Sequence, residues 1–79
     1  MNETLQTVIE ILQELHEDVD FENETRLIDG KILDSFDIVT LISELSNEFD
    51  ITIPADKIIP ENFNSAQALA EMVAELEDA

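Results

Sequence analysis

The chain contains no cysteine, no tryptophan and no tyrosine, and it has only one glycine, two prolines and three bases. Each shortage closes off a class of function. Without cysteine there is no disulfide framework and no thiolate metal site, so cysteine usage says nothing about redox compartment. Three Lys+Arg face twenty Asp+Glu, a formal net charge of −17. That balance excludes binding to a phosphate backbone, which needs cations, so no nucleic-acid partner is expected. It also argues against an anionic membrane surface. No apolar run approaches the length of a signal-peptide core or a membrane span. The expectation is a soluble, cytoplasmic protein.

Catalytic equipment is equally scarce. One histidine, His16, without a second histidine or any cysteine does not make a zinc site or a nucleophile–base pair. No glycine-rich phosphate loop and no metal cluster can be read. Carboxylates are abundant, but a glycosidase needs two acids held at a fixed separation across a cleft. Seventy-nine residues form one small domain near the lower size limit for a single core, too little mass for such a cleft. The chain is expected not to be an enzyme by itself. "DVDFENETRLID", Asp18 to Asp29, has acids at several positions of a calcium-binding loop. It carries Asn23 where the sharp turn needs glycine and Asp29 where a bidentate glutamate is usual, so no specific metal site is expected.

What is present is aliphatic periodicity. Leu5, Val8, Leu12 and Leu15, flanked by Ile9 and Ile11, predict an amphipathic helix over about 4–16. Residues 17–33 have no sustained period but carry Val19, Phe21, Leu27, Ile28, Ile32 and Leu33. They predict a long first loop whose side chains must dock. Ile38, Leu41, Ile42, Leu45 and Phe49 share one sector of a second helix over about 35–49. Ile51 to Ile53 suggest an extended exit before Pro54. A single helical turn is expected over about 56–59, stopped by Pro60. Asn64 or Ser65 can cap a last helix over about 65–76, with Gln67 at capping-box spacing from Asn64. Ala66, Leu69, Ala70, Val73 and Leu76 line its inner face, Met72 reads as core packing, and the acidic tail from Glu75 is expected to fray. The fold class is therefore all-α: one domain over 1–79, a small bundle of three main helices plus one short helix.

The informative stretch is "LDSFDIVTLISELSNEFDI". Asp34 is a good N-cap, which makes Ser35 the first helical residue. Its hydroxyl then faces the free N–H groups and the positive end of the helix dipole, where an attached anionic phosphodiester would be stabilised. Asp34 and Ser35 also suit plain capping. Phe36 lies off the core sector, with Thr40, Ser43 and Asn47 following along its side. It is either a docking anchor or a side chain tucked against Ile32 or Leu33. The strongly negative field suits basic partner surfaces, and it also suits solubility alone.

"LDSFDIVTLISELSNEFDITIP" resembles the central motif of acyl carrier proteins: Asp-Ser, an apolar residue, an acidic helix, then Glu-Phe-Asp and an Ile-Pro exit. The likeness extends to the first helix, the long loop and the closing "NSAQALAEMV". It implies an acyl-carrier-like bundle whose Ser35 bears a covalent 4′-phosphopantetheine arm derived from coenzyme A. The arm would hold an acyl or aminoacyl cargo as a thioester for fatty acid or related biosynthesis. The same resemblance implies that Asp34 and Asp37 help a phosphopantetheinyl transferase find the site. Phe36, Thr40, Ser43 and Asn47 would meet acyl-activating and acyl-transferring enzymes, with Glu44 and Glu48 adding acidity. Ile42, Leu45 and Ile53 are candidates to shelter an apolar cargo, and a monomer is expected. "GKILDSF" lacks the Gly-Ala-Asp-Ser lead-in of fatty-acid carriers and is more similar to the Leu-Leu-Asp-Ser of D-alanyl carrier proteins. Asp37-Ile38 replace the Gly-Thr usual in the latter, and "IIPENFNSAQAL" replaces their aromatic-and-Pro stretch. Fatty acyl, other acyl and amino-acid cargoes stay open, as does an unmodified acidic interaction module.

Overall fold

A computed structural model describes residues 3–78. Four α-helices follow in chain order: α1 (Glu3–Leu15), α2 (Ser35–Phe49), α3 (Pro60–Phe63) and α4 (Ala66–Asp78), with a 3-10 turn at Ala55–Lys57. No strand occurs among the described residues. The all-α bundle with a long first loop is as expected.

Each long helix buries the face its periodicity marks. α1 buries Val8, Ile11 and Leu12, α2 buries Leu41 and Leu45, and α4 buries Ala66, Leu69, Ala70, Met72 and Val73. Ile38, Ile42, Phe49 and Leu76 lean on this core from its edge. α4 packs on α1 and α3, and α2 packs on α1. The long loop contributes Phe21, Leu27 and Leu33 to the core, and α3 contributes Phe63. Each such fully buried Leu or Phe stabilises by about 1.5–3 kcal/mol over its exposed state. Among the described residues every buried one is apolar, so none of them leaves an ion to be solvated inside.

Four local expectations are corrected. Pro60 does not stop a turn: it opens α3 at the first helical position. Proline is suited there because its missing N–H has no intrahelical acceptor in any case. The turn before it is a 3-10 turn at Ala55–Lys57 rather than a helix over 56–59. At α4 the cap is Ser65, one of the two residues expected, whose Oγ accepts the Ala68 N–H at 3.0 Å, and the capping box from Asn64 is what fails. Asn64 is occupied elsewhere, and Gln67 donates to Glu71 instead of closing a capping box. The acidic tail stays helical through Asp78; Ala79 lies outside the described residues.

Asn64 ties the first loop down. Its Oδ1 accepts the N–H groups of Ile28 (3.0 Å) and Asp29 (3.1 Å), and its Nδ2 donates to Asp29 Oδ2 (3.2 Å). Its main-chain carbonyl accepts the Leu27 N–H at 2.9 Å. The loop then turns tightly: the Gly30 N–H donates to the Arg26 carbonyl at 2.7 Å. A Cβ on Gly30 would stand 2.6 Å from that oxygen, closer than the backbone there allows. Lys31 follows with φ of 61°, a left-handed conformation that costs a side-chain-bearing residue roughly 1–2 kcal/mol. This structured loop delivers Leu33 into the core and Asp34 to the start of α2.

Candidate functional site

The site is built on the first turn of α2. Asp34 is the N-cap, in extended backbone (φ −105°, ψ −176°). Its Oδ1 accepts the Asp37 N–H at 2.9 Å, and Asp37 Oδ2 accepts the Asp34 N–H at 3.3 Å. This reciprocal box satisfies two of the donors a helix start leaves open. Ser35 is the first residue of the helix and is exposed. Its own N–H and that of Phe36 have no acceptor within the helix. An anion joined to the Ser35 oxygen would therefore meet unsatisfied donors and the positive end of the helix dipole. The exposed hydroxyl and the open helix end fit a phosphodiester.

Phe36 does not tuck against Ile32 or Leu33. It is 78% exposed, and Val39, one turn on, is 65% exposed. Val39 is a residue that sequence reasoning missed. The signal was there: it sits three positions from Phe36 and off the core sector. Ser43, Glu44, Asn47 and Glu48 are exposed along the same helix, and Thr40 is half-buried with its Oγ1 donating to the Phe36 carbonyl at 3.1 Å. The result is a two-residue apolar spot at the head of an acidic helix.

Asp37 is engaged rather than offered. His16, just past the end of α1, places Nε2 2.8 Å from Asp37 Oδ2. The His16 bond, with the Asp34 N–H assisting, holds the Asp37 carboxyl below the usual carboxylate range, against the opposing effect of partial burial. His16 was legible only as a residue suited to the α1 dipole, because its partner is 21 positions away.

Among the cargo candidates, Leu45 and Ile53 are closed into the core and Ile42 is half-buried. A small apolar hollow of about 100 Å³ lies instead between α2 and the α3 segment, lined by Ile28, Ile38, Ile58, Ile59, Pro60 and Phe63. Ile38 is one turn from Ser35. A larger groove of about 350 Å³ runs between α1 and the start of α4, with Leu5, Ile9, Glu10 and Gln67 among its walls, and no α2 residue reaches it. Among the described residues no group of three or more His, Cys, Asp or Glu could hold a metal ion. In the acidic loop, Asn23 simply donates to Asp20 at 2.8 Å. No described helix is long and apolar enough to cross a membrane.

Comparison with known proteins adds the chemistry. Residues 3–73 match the family described as "Phosphopantetheine attachment site". The D-alanyl carrier proteins of Streptococcus sanguinis and Streptococcus gordonii are each 42% identical over 73 residues, covering 91% of this chain and 92% of theirs. That of Streptococcus mutans is 40% identical over the same span.

Proposed function

Because the chain belongs to the phosphopantetheine attachment family, a family of non-catalytic carriers, we propose that Ser35 is the residue modified and that the cargo is a small aminoacyl group, D-alanine. The carrier role and the covalent 4′-phosphopantetheine follow from membership. Carriers of this kind work with a phosphopantetheinyl transferase and with acyl-handling enzymes. The arm supplies, when attached, a thiol that holds the cargo as a thioester. That is why the chain can do without cysteine.

The observation that carries the reading is Ser35 itself, exposed at the first position of α2 behind an intact capping box. The Asp34 cap keeps the helix start in place, and the free N–H groups of Ser35 and Phe36 balance the phosphodiester charge. Phe36 and Val39 give an incoming enzyme an apolar foothold beside the reacting oxygen. Asp34, Ser43, Glu44, Asn47 and Glu48 surround that foothold with polar and acidic groups suited to a basic docking surface. Two observations support an amino acid over a long acyl chain. The relatives bear the D-alanyl name. The hollow that Ile38, one turn from Ser35, helps to line is about 100 Å³, smaller than the roughly 150 Å³ cavity that takes up one benzene. The reading keeps the expectation of a cytoplasmic monomer, which gel filtration checks for its second part.

The test is an intact mass spectrum after incubation with coenzyme A, magnesium and a phosphopantetheinyl transferase. Wild type should gain one phosphopantetheinyl group and Ser35→Ala none. Loading of the alanine variant would reject Ser35. An unmodified wild type, with its fold intact by circular dichroism and a cognate transferase tried, would favour an unmodified interaction module. The loaded protein is then offered D-alanine or a long-chain fatty acid, each with ATP and a matching activating enzyme. A thioester formed with the fatty acid and not with D-alanine overturns the cargo.

A further inference from the structure

His16 and Asp37 form a side-chain tie between the end of α1 and the start of α2. The His16 N–H donates to the Leu12 carbonyl at 3.0 Å, so the residue still belongs to the last turn of α1. Its Nε2 stands 2.8 Å from Asp37 Oδ2, the same oxygen that accepts the Asp34 N–H. Asp34 Oδ1 in turn accepts the Asp37 N–H. Ser35 and Phe36 are the two residues enclosed between the partners of this reciprocal pair. The ring side chain is 32% exposed and the carboxylate 17%, so the contact is partly shielded from water.

We propose that His16 is a positioning residue for the modification of Ser35: through Asp37 it pins the first turn of α2 to α1 and fixes the direction in which the hydroxyl is presented. The inference rests on the reading of Ser35 as the attachment residue. A capping box is local, and helix ends fray along with their caps. A tie to another helix, 21 residues away, adds an anchor that does not fray with α2. The bond ends on a carboxylate and so belongs to the stronger class of hydrogen bonds. A transferase must bring a phosphate into line with one oxygen, and an attacking group held in a single orientation reacts faster than one that wanders. His16 hydrogen-bonds to Leu12 and Asp37 and not to Ser35 or the Phe36–Val39 foothold, so its effect runs through Asp37.

Three single variants and their double test this, with wild type and Ser35→Ala in the same assay. His16→Ala removes the ring, His16→Gln restores an N–H donor of similar reach, and Asp37→Ala removes the carboxylate that receives it. In His16→Ala the amides of Asp37 and Ile38 should exchange about tenfold faster, while those of Leu69 and Val73 in α4 keep their protection. The kcat of phosphopantetheinyl transfer should fall about tenfold, with KM for the carrier within about twofold of wild type. His16→Gln should recover most of the loss. A His16/Asp37 double variant should be no slower than the worse single one, since both break the same bond. Wild-type exchange and wild-type kcat in His16→Ala would overturn the proposal, as would losses that add in the double variant. If His16→Ala fails to fold, Asp37→Ala carries the same two readouts, and unchanged values there overturn the proposal equally. Modification of Ser35→Ala, or none of wild type, rejects the attachment residue instead. The amide exchange, read on the unmodified protein, still decides whether His16 pins the turn.

Discussion

Asp37 carries three duties on one side chain. It closes the cap of α2, accepts the His16 bond and adds a negative charge to the helix's positive end. Its carboxyl is held below the ordinary value near 3.8 mainly by the His16 bond. The consequence for stability has a definite sign. Between the unfolded value and the lowered folded one, the unfolded chain binds more protons, so stability rises with pH through that window. The contribution is complete above about pH 5, one unit beyond the unfolded value, and is lost as pH falls through the folded value. Asp37→Asn should therefore be less stable than wild type near neutral pH, by about 1 kcal/mol as for a lost cap. The two proteins should converge once Asp37 is protonated in both states. Urea unfolding at pH 7 and at successively lower pH, down to where Asp37 is protonated in both states, reads this directly. A gap that stays equal across the series would show that the shape of the side chain matters and its charge does not.

The helices differ in how their ends are secured, and Asn64 and Ser65 show the difference side by side. Ser65 caps its own helix with one bond to Ala68. Asn64 reaches across to the first loop and satisfies the N–H groups of Ile28 and Asp29 together. Ser65→Ala should cost about 1 kcal/mol, the ordinary loss of an N-cap. Asn64→Ala leaves two N–H groups without their acceptor and should cost more, about 1–3 kcal/mol. The midpoint shift in urea at constant m-value ranks them, and the reverse order would mean that the loop is not held through Asn64. The same pair explains what the sequence could tell. The buried faces of α1, α2 and α4 were legible because helical periodicity is a local signal. Asp34 as a cap and Ser35 as the first helical residue were legible because capping is chemistry between near neighbours. Pro60 was misleading because proline both ends and begins helices. Which it does depends on whether the chain ahead can continue, and "ENF" could. The ties from His16 to Asp37 and from Asn64 to Ile28 and Asp29 were not legible. They span 21 to 36 positions, and no local pattern marks a polar side chain whose partner is that far away. Phe36 stayed ambiguous for the same reason, since only the packed loop decides whether Leu33 and Ile32 leave room for it.

At the scale of the whole molecule the charge is the dominant fact. A net −17 is confined to a body of 32 × 28 × 18 Å, only a few times the Debye length of about 10 Å at 0.1 M salt. Compensation is sparse. Lys57 pairs with Glu75 at 3.5 Å, an exposed contact of the kind that contributes little, and Arg26 and Lys31 stand on the exposed surface of the first loop. No described ionic residue is buried, so the repulsion is a surface effect that salt can reach. Unfolding spreads the same charges over a larger volume and relaxes them, which means that the folded state bears the greater cost. Raising NaCl from about 0.01 M to about 0.5 M shortens the screening length severalfold. It should raise the melting temperature; a gain of about 1 kcal/mol corresponds to about 4–8 °C in a domain of this size. The same addition should weaken the protein's capture by a transferase with a basic docking face, because steering fades as screening grows. The two effects run in opposite directions from one cause. Thermal unfolding by circular dichroism and the kcat/KM of phosphopantetheinyl transfer, followed across one salt series, test them together. A melting temperature that stays flat while kcat/KM falls would confine the charge to recognition and remove it from the stability of the fold.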